Sequence, residues 1–199
     1  MRGLEMTPRF EAFAWDGPVF HALNRDLGPA VDALVRFCAG PASAISCGGL
    51  LLAYCIWRWR GRATPIILAA VLAIVCTDLV GARLLKPGMA RMRPCYSLPA
   101  GSFRQVIPIA RSGSLPSQHA ANWFAAVTPV VIAAPPTAVV LVPLAVVVGL
   151  SRVVAGVHWP SDVLVGSLLG VVMGVLATLA VRGLRRWRRR SAELAPRPG

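Results

Sequence analysis

The chain has 199 residues, of which 56% are hydrophobic and only 15% charged, with 21 Lys+Arg against 8 Asp+Glu. A soluble domain carries roughly 45–50% apolar and about 25% charged residues, so the composition excludes a soluble globular protein and points to one compact polytopic membrane domain. A net charge of +13 would suit a nucleic-acid binder, but the arginines lie in loops and tails between long apolar runs, where membrane topology and anionic headgroups account for them.

No nucleic-acid partner is therefore expected. The first residues lack the pattern of a signal peptide, because Glu5, Glu11 and Asp16 interrupt them. From Val19 to Phe37 apolar residues alternate with Arg25, Asp26, Asp32 and Arg36. Val31, Leu34, Val35 and Cys38 fall at helical spacing, which predicts an amphipathic helix lying on the membrane surface. His21 reads as interfacial. The charges and Gly28-Pro29 argue against a sixth span there.

Five apolar segments follow, at about 39–57, 65–85, 117–134, 136–153 and 162–181. A span needs roughly 17–25 residues. The first, second and fifth fit well; the third and fourth are short and meet at Pro135-Pro136. That pair removes two backbone donors and predicts a tight hairpin. The expected fold class is all-α: a membrane helical bundle of about five transmembrane helices plus an N-terminal interfacial helix. Its expected divisions are an N-terminal segment 1–38, a transmembrane domain 39–182 and a basic cytoplasmic tail 183–199, whose Pro- and Arg-rich end is not expected to fold. Gly166, Gly170 and Gly174 recur every four residues and predict close helix packing, within one chain as the simplest choice. The sequence carries no signal for oligomeric state. The five cysteines are odd in number and form no CxxC, so neither a disulfide framework nor a metal site is expected.

Arginine bias orients the bundle. Arg58, Arg60 and Arg62 after the first span, and Arg182 to Arg190 after the fifth, are both cytoplasmic if the first span runs inward. Arg83, Lys86, Arg91, Arg93, Arg104, Arg111 and Arg152 then lie on or near the outer side, against the bias. A functional demand for cations there accounts for them. Asp78 and Arg83 read as an intrahelical pair.

Three polar clusters interrupt the apolar chain at the outer ends of the predicted spans: Lys86 to Pro94, Ser114 to His119, and Ser151 to Asp162. Lys86, Arg93 and Arg152 supply cations, and the arginine fork suits phosphate oxygens. Ser117 follows Pro116 where a helix begins, so free N–H groups and the positive dipole end favour an anion. His119 and His158 can perform nucleophilic and acid–base steps near neutral pH. Asp162, four residues after His158, can fix the tautomer of that imidazole. Taken singly, Arg93 reads as a snorkelling headgroup anchor, Ser117 as a helix cap and Asp162 as a helix N-terminal charge. The functional case lies in their convergence.

The clusters resemble the signature of the type-2 phosphatidic acid phosphatase superfamily, which also contains vanadium haloperoxidases. Its pattern is K-x6-R-P, then P-S-G-H, then S-R-x5-H-x3-D. Lys86 to Pro94 fits the first; Ser151, Arg152, His158 and Asp162 fit the third; Pro116-Ser117-Gln118-His119 departs from the second by Gln118 in place of Gly. The resemblance implies that residues 39–182 form a phosphatase domain acting on a lipid phosphate. It implies His158 as the nucleophile forming a phosphohistidine, Asp162 as its orienting partner and His119 as the acid for the leaving oxygen. Lys86, Arg93, Ser117, Gln118 and Arg152 would bind the phosphate. No metal and no cofactor are implied. Gln118 fits if its position is the first turn of a helix, and is strained if the position needs positive φ.

Family resemblance suggests undecaprenyl diphosphate first among substrates, with phosphatidylglycerol phosphate, phosphatidate and lipid A phosphate as alternatives. The loop 95–115, with Arg104 and Arg111, is expected to shape headgroup choice. The expected setting is a bacterial inner (plasma) membrane, with the site on the periplasmic or extracellular face. A non-catalytic lipid-phosphate binder or transporter is the competing class; it would need the cations but not two histidines plus Asp162. A soluble, larger haloperoxidase is contradicted by hydropathy.

Overall fold

A computed structural model of the chain describes residues 11–109 and 112–194. Glu5, Arg111 and the Pro-rich end after Leu194 lie outside the described residues. All regular structure among them is helical: α1 (Asp16–Leu23), α2 (Pro29–Ala39), α3 (Pro41–Trp59), α4 (Thr64–Asp78), α5 (Lys86–Met89), α6 (Pro94–Ser97), α7 (Gln118–Ala133), α8 (Ala138–Val154) and α9 (Pro160–Leu194). Proline opens α2, α3, α6 and α9, where the missing N–H would have no intrahelical partner and the fixed φ already suits a helix.

The single amphipathic helix expected over 19–37 is two helices. Gly28, at φ +88, breaks it, and Pro29 restarts it. The Pro135-Pro136 hairpin forms as a 3₁₀ turn, Pro135–Thr137. Three helical stretches are long and apolar enough to cross a bilayer: Thr64–Ser97, Pro135–Val154 and Pro160–Glu193. The pair α2 and α3, bent by 73°, makes a fourth if taken as one broken span.

The remaining expected span, α7, has 16 residues. At 1.5 Å per residue it reaches about 24 Å, short of the roughly 30 Å of hydrocarbon. It lies at the centre of the bundle against α4, α8 and α9, so neighbouring helices rather than lipid cover most of its surface. Outward-facing side chains such as Val139, Leu164 and Leu168 are apolar and exposed, the surface a bilayer covers. The chain is an integral membrane protein.

Two helices overrun their expected ends. After Asp78, α4 continues through a π-helical segment, Leu79–Leu85, into α5, which carries the polar cluster beginning at Lys86. A π segment widens the helix by one residue per turn and often marks a functional site. The last helix continues from residue 181 to Leu194, because arginine is a good helix former and no proline intervenes before Pro196. Arg182 and Arg185 line one small cavity with Pro65 and Ile66, so the tail arginines lie at the same end of the bundle as the start of α4.

Glycine sets the α7–α9 spacing. A Cβ added at Gly166 would lie 2.4 Å from the Ser117 carbonyl oxygen; one at Gly170 would lie 2.1 Å from that of Ala121; one at Gly174 would lie 2.5 Å from Thr128 Cβ. The four-residue glycine repeat is thus an intramolecular seam. Two of its three contacts are backbone atoms, which cannot rotate aside. Gly170→Ala is expected to lower the thermal unfolding midpoint of the detergent-purified protein, by an amount equivalent to about 1–3 kcal/mol. Gly183→Ala, inside the same helix where nothing lies within 4 Å, is expected to leave it unchanged or raise it by the equivalent of up to about 1 kcal/mol.

Candidate active site

The three polar clusters meet at the end of the bundle opposite the tail arginines. Lys86 opens α5, Arg93 stands at the N-cap of α6, and Ser117 is the N-cap of α7 with Gln118 and His119 in its first turn. Arg152 lies in the last turn of α8 and Asp162 in the first turn of α9, with His158 in the loop between. Lys86, Arg93 and Arg152 are close enough for their charges to act on one another and on His119. The backbone of Ala39, at the α2–α3 bend, also lies close enough to act on His119.

The start of α9 explains how His158 is held. With Trp159 as N-cap, Asp162 is the third helical residue, and its Oδ2 accepts the Trp159 N–H at 2.8 Å, one half of a capping box. The same oxygen accepts from Ser114 Oγ and lies 3.3 Å from His158 Nδ1. A carboxylate there favours the tautomer with the proton on Nδ1, leaving the Nε2 lone pair outward. Arg93 Nη1 donates towards that Nε2 at 3.2 Å. His158 is buried, and burial pushes its pKa down to about 3 against the opposing hydrogen bond from Asp162. The resting imidazole is therefore neutral at physiological pH.

The cations are arranged differently from ordinary ion pairs. Among the described residues Lys86, Arg93 and Arg152 form no salt bridge, whereas Asp16, Asp26, Asp32 and Asp162 are all paired. Arg93 is held by carbonyls: its Nε donates to Ser112 O at 2.9 Å and its Nη1 to Val157 O at 2.8 Å. Arg152 is 7% exposed, yet its Nε and Nη1 have no hydrogen-bond partner, and neither has the fully buried Ser117 Oγ. A buried donor left unsatisfied costs about 1–3 kcal/mol, and more when charged. A phosphoryl group brings the oxygen acceptors that these donors lack.

Gln118 occupies the first position of α7, after an N-cap in extended conformation at φ −71, and is not among the residues with positive φ. The helical first turn tolerates Gln where the family pattern has Gly. Its side chain is held by neighbouring polar groups: Nε2 donates to Asp78 Oδ1 at 2.8 Å and Asn122 Oδ1 at 3.1 Å. Gly81 makes room, since a Cβ there would lie 2.7 Å from Gln118 Oε1. The side-chain amide of Gln118 is committed to Asp78 and Asn122. Asp78 thus pairs with α7 rather than with Arg83, and the expected intrahelical pair does not form among the described residues.

Two further expectations change. Arg104 donates to Asp32 at 2.9 Å and to Arg25 O at 3.0 Å, while its backbone is gripped by the Asn24 side chain. It clamps the loop to α2 instead of facing a headgroup. Gly156, at φ +80, lets that loop approach, since a Cβ there would lie 2.2 Å from Arg104 O. Asp16 and Arg91, which sequence reasoning passed over, are fully buried beside Asp162. Arg91 joins the two carboxylates at 2.5 Å and 2.6 Å. Arg91 was visible only as one of several outer cations; Asp16 carried no signal beyond a charge near an apolar stretch.

A family model described as the PAP2 superfamily matches residues 62–186. The bacitracin transport permease protein BcrC of Bacillus licheniformis is 30% identical over 117 residues; the match covers 57% of this chain and 56% of that protein, so the chain spans little more than half of that relative. Among solved structures, LpxE of Aquifex aeolicus superposes with a TM-score of 0.65 at 26% identity, over 83% of this chain and 95% of that one. A PAP2-type phosphatidylglycerolphosphate phosphatase of Bacillus subtilis superposes with a TM-score of 0.62 at 21% identity, over 87% and 85%, a likeness of fold.

The depressed pKa of His158 makes stability depend on pH. The native state holds this group unprotonated where the unfolded chain, near 6.5, takes up a proton. Its stabilising contribution is complete above about pH 6.5 and is lost as pH falls from there towards 3. Between about pH 7 and pH 4.5 the unfolding midpoint of the wild type should fall more steeply than that of His158→Asn. Parallel curves would refute a buried neutral imidazole. Gln118→Gly should not raise turnover by more than about threefold, since the position already has helical backbone geometry.

Proposed function

The chain belongs to the PAP2 superfamily, and on that premise we propose that it is a membrane phosphatase that hydrolyses a lipid phosphate or diphosphate through a phosphohistidine, without a metal. The observation that carries this reading is the set of buried donors without partners, on Arg152 and Ser117, in a cation-rich site where Lys86, Arg93 and Arg152 form no ion pair among the described residues. Such a site fits a phosphoryl group and leaves a cationic headgroup without a counter-charge.

In the proposed reaction the Nε2 lone pair of His158 attacks phosphorus as the bond to the leaving oxygen breaks. His119, protonated once the substrate's phosphate charge offsets the surrounding cations, gives that oxygen its proton. Lys86, Arg93, Arg152, Ser117 and the Gln118 N–H hold the three remaining phosphoryl oxygens and stabilise the charge spread over them in the transition state. Asp162 keeps the proton on Nδ1 and stabilises the imidazolium as it forms. His119, now a base, takes a proton from water, which attacks the phosphohistidine and frees inorganic phosphate and neutral His158. The positive charges needed in the transition state all come from side chains, so the scheme needs no Mg²⁺.

An apolar groove of about 370 Å³ between α3, α7 and α8 supports a lipid substrate. Trp123, one helical turn below His119, and Leu144, two turns below Arg152, are among its lining residues, with Tyr54 and Leu51 on α3. A phosphate held between His119 and Arg152 would leave an attached apolar chain at the head of this groove. Undecaprenyl diphosphate is the proposed first substrate, with phosphatidylglycerol phosphate, phosphatidate and lipid A phosphate as alternatives. The proposed setting is a bacterial inner membrane with the site on its outer face, which puts both arginine clusters in the cytoplasm.

Two measurements test this. Purified protein with EDTA present should release phosphate from undecaprenyl diphosphate, and His158→Ala should not; failure on every lipid phosphate named would favour the binder. Leu144→Trp should raise KM for long-chain substrates by about tenfold through lost chain burial, while leaving a short-chain phosphate ester unaffected.

A further inference from the structure

Asp16 lies outside residues 62–186, the stretch matched by the family model. It belongs to α1, yet it is fully buried against the first turn of α9. Its Oδ1 accepts the Ser161 N–H at 2.9 Å. Its Oδ2 accepts from Arg91 Nη2 at 2.5 Å, from Ser161 Oγ at 2.6 Å and from the Phe13 N–H at 2.9 Å. Arg91 Nη1 donates to Asp162 Oδ1 at 2.6 Å and to Ser161 Oγ at 2.7 Å. One guanidinium therefore bridges two buried carboxylates, and the second of them faces His158.

The charge balance of this group matters to a nucleophilic histidine. Asp16, Arg91 and Asp162 together carry one net negative charge. As His158 forms its bond to phosphorus the ring becomes cationic, and a net negative neighbour in a low-dielectric site stabilises it. Without Asp16, Arg91 and Asp162 would sum to zero, and the negative charge facing the imidazolium would be cancelled. The paired bonds from Asp16 to Ser161 also hold the backbone turn that aims Asp162 at Nδ1.

We infer that Asp16 is a positioning residue for the reaction, acting through Arg91 on the His158–Asp162 pair, so that α1 is part of the catalytic unit rather than only a surface anchor. The inference rests on the reading of His158 as nucleophile. Ser161 and Arg91 connect Asp16 to the site; Asp16 itself touches no reacting atom.

The test uses the full chain in detergent with the lipid phosphate that the wild type hydrolyses. Phosphate release by the wild type and not by His158→Ala must hold first; if it does not, the functional reading fails, whatever Asp16 does. Given that result, Asp16→Asn should lower kcat at least about tenfold with KM within about threefold, the signature of lost transition-state stabilisation. Adding Arg91→Gln to Asp16→Asn returns the group to one net negative charge by removing the cation that offsets Asp162. The double variant should recover kcat over Asp16→Asn alone, a non-additive result that a purely structural role would not produce. Unchanged kcat in Asp16→Asn, or a double variant no better than the single, would overturn the inference. If the single variant does not fold, the double is compared with Arg91→Gln alone: a double variant less active than Arg91→Gln by tenfold or more would equally overturn it.

Discussion

A fully buried Asp162 accepts from Arg91 on one oxygen and from Ser114, Trp159 and His158 on the other. A carboxylate taken out of water is stable only with its lone pairs satisfied. Here the donors come from three places in the chain: the segment before α6, the approach to α7, and the loop from α8 into the N-cap of α9. Forming this one site therefore assembles the end of the bundle. Its backbone takes part too, since the Asp162 carbonyl accepts the Ser117 N–H at 2.9 Å. The turn that caps α9 and the turn that starts α7 are bonded to each other.

Around this satisfied anion stands the opposite arrangement. Arg93 is buried on carbonyls, while Arg152 and Ser117 keep buried polar atoms without partners. Cations of this kind are expensive near a membrane and mark function by default. The acidic residues close by are committed to partners: Asp162 and Asp16 to Arg91, Asp78 to Gln118 and Asn122. The positive charge of Lys86, Arg93 and Arg152 is thus not offset by a salt bridge among the described residues.

The bundle below serves this geometry. Gly166, Gly170 and Gly174 bring α9 against α7 at backbone distance, which keeps Ser117 and Asp162 within hydrogen-bond reach. Because α7 is enclosed by α4, α8 and α9, it need not match the bilayer in length. Its positive N-terminal end, with Ser117, Gln118 and His119, lies among the cations.

The membrane class, the Pro135-Pro136 hairpin, the glycine seam and the three polar clusters were all legible in the sequence, because each depends on local rules: apolar length, missing donors, residue size and helical spacing. His158 and Asp162 were legible as a pair because four residues separate them across a helix start. Other features were decided by tertiary packing. Asp16 and Arg91 are 75 residues apart, and no periodicity announces that they share a salt bridge. The side chain of Gln118 turned to Asp78 because Gly81 on another helix left the room, and Arg104 became a loop clamp because Asp32 and Asn24 reached it first. Sequence spacing determines which residues share a face; which partner each buried polar group finds is set only when the helices pack, because burial then penalises every group left without one.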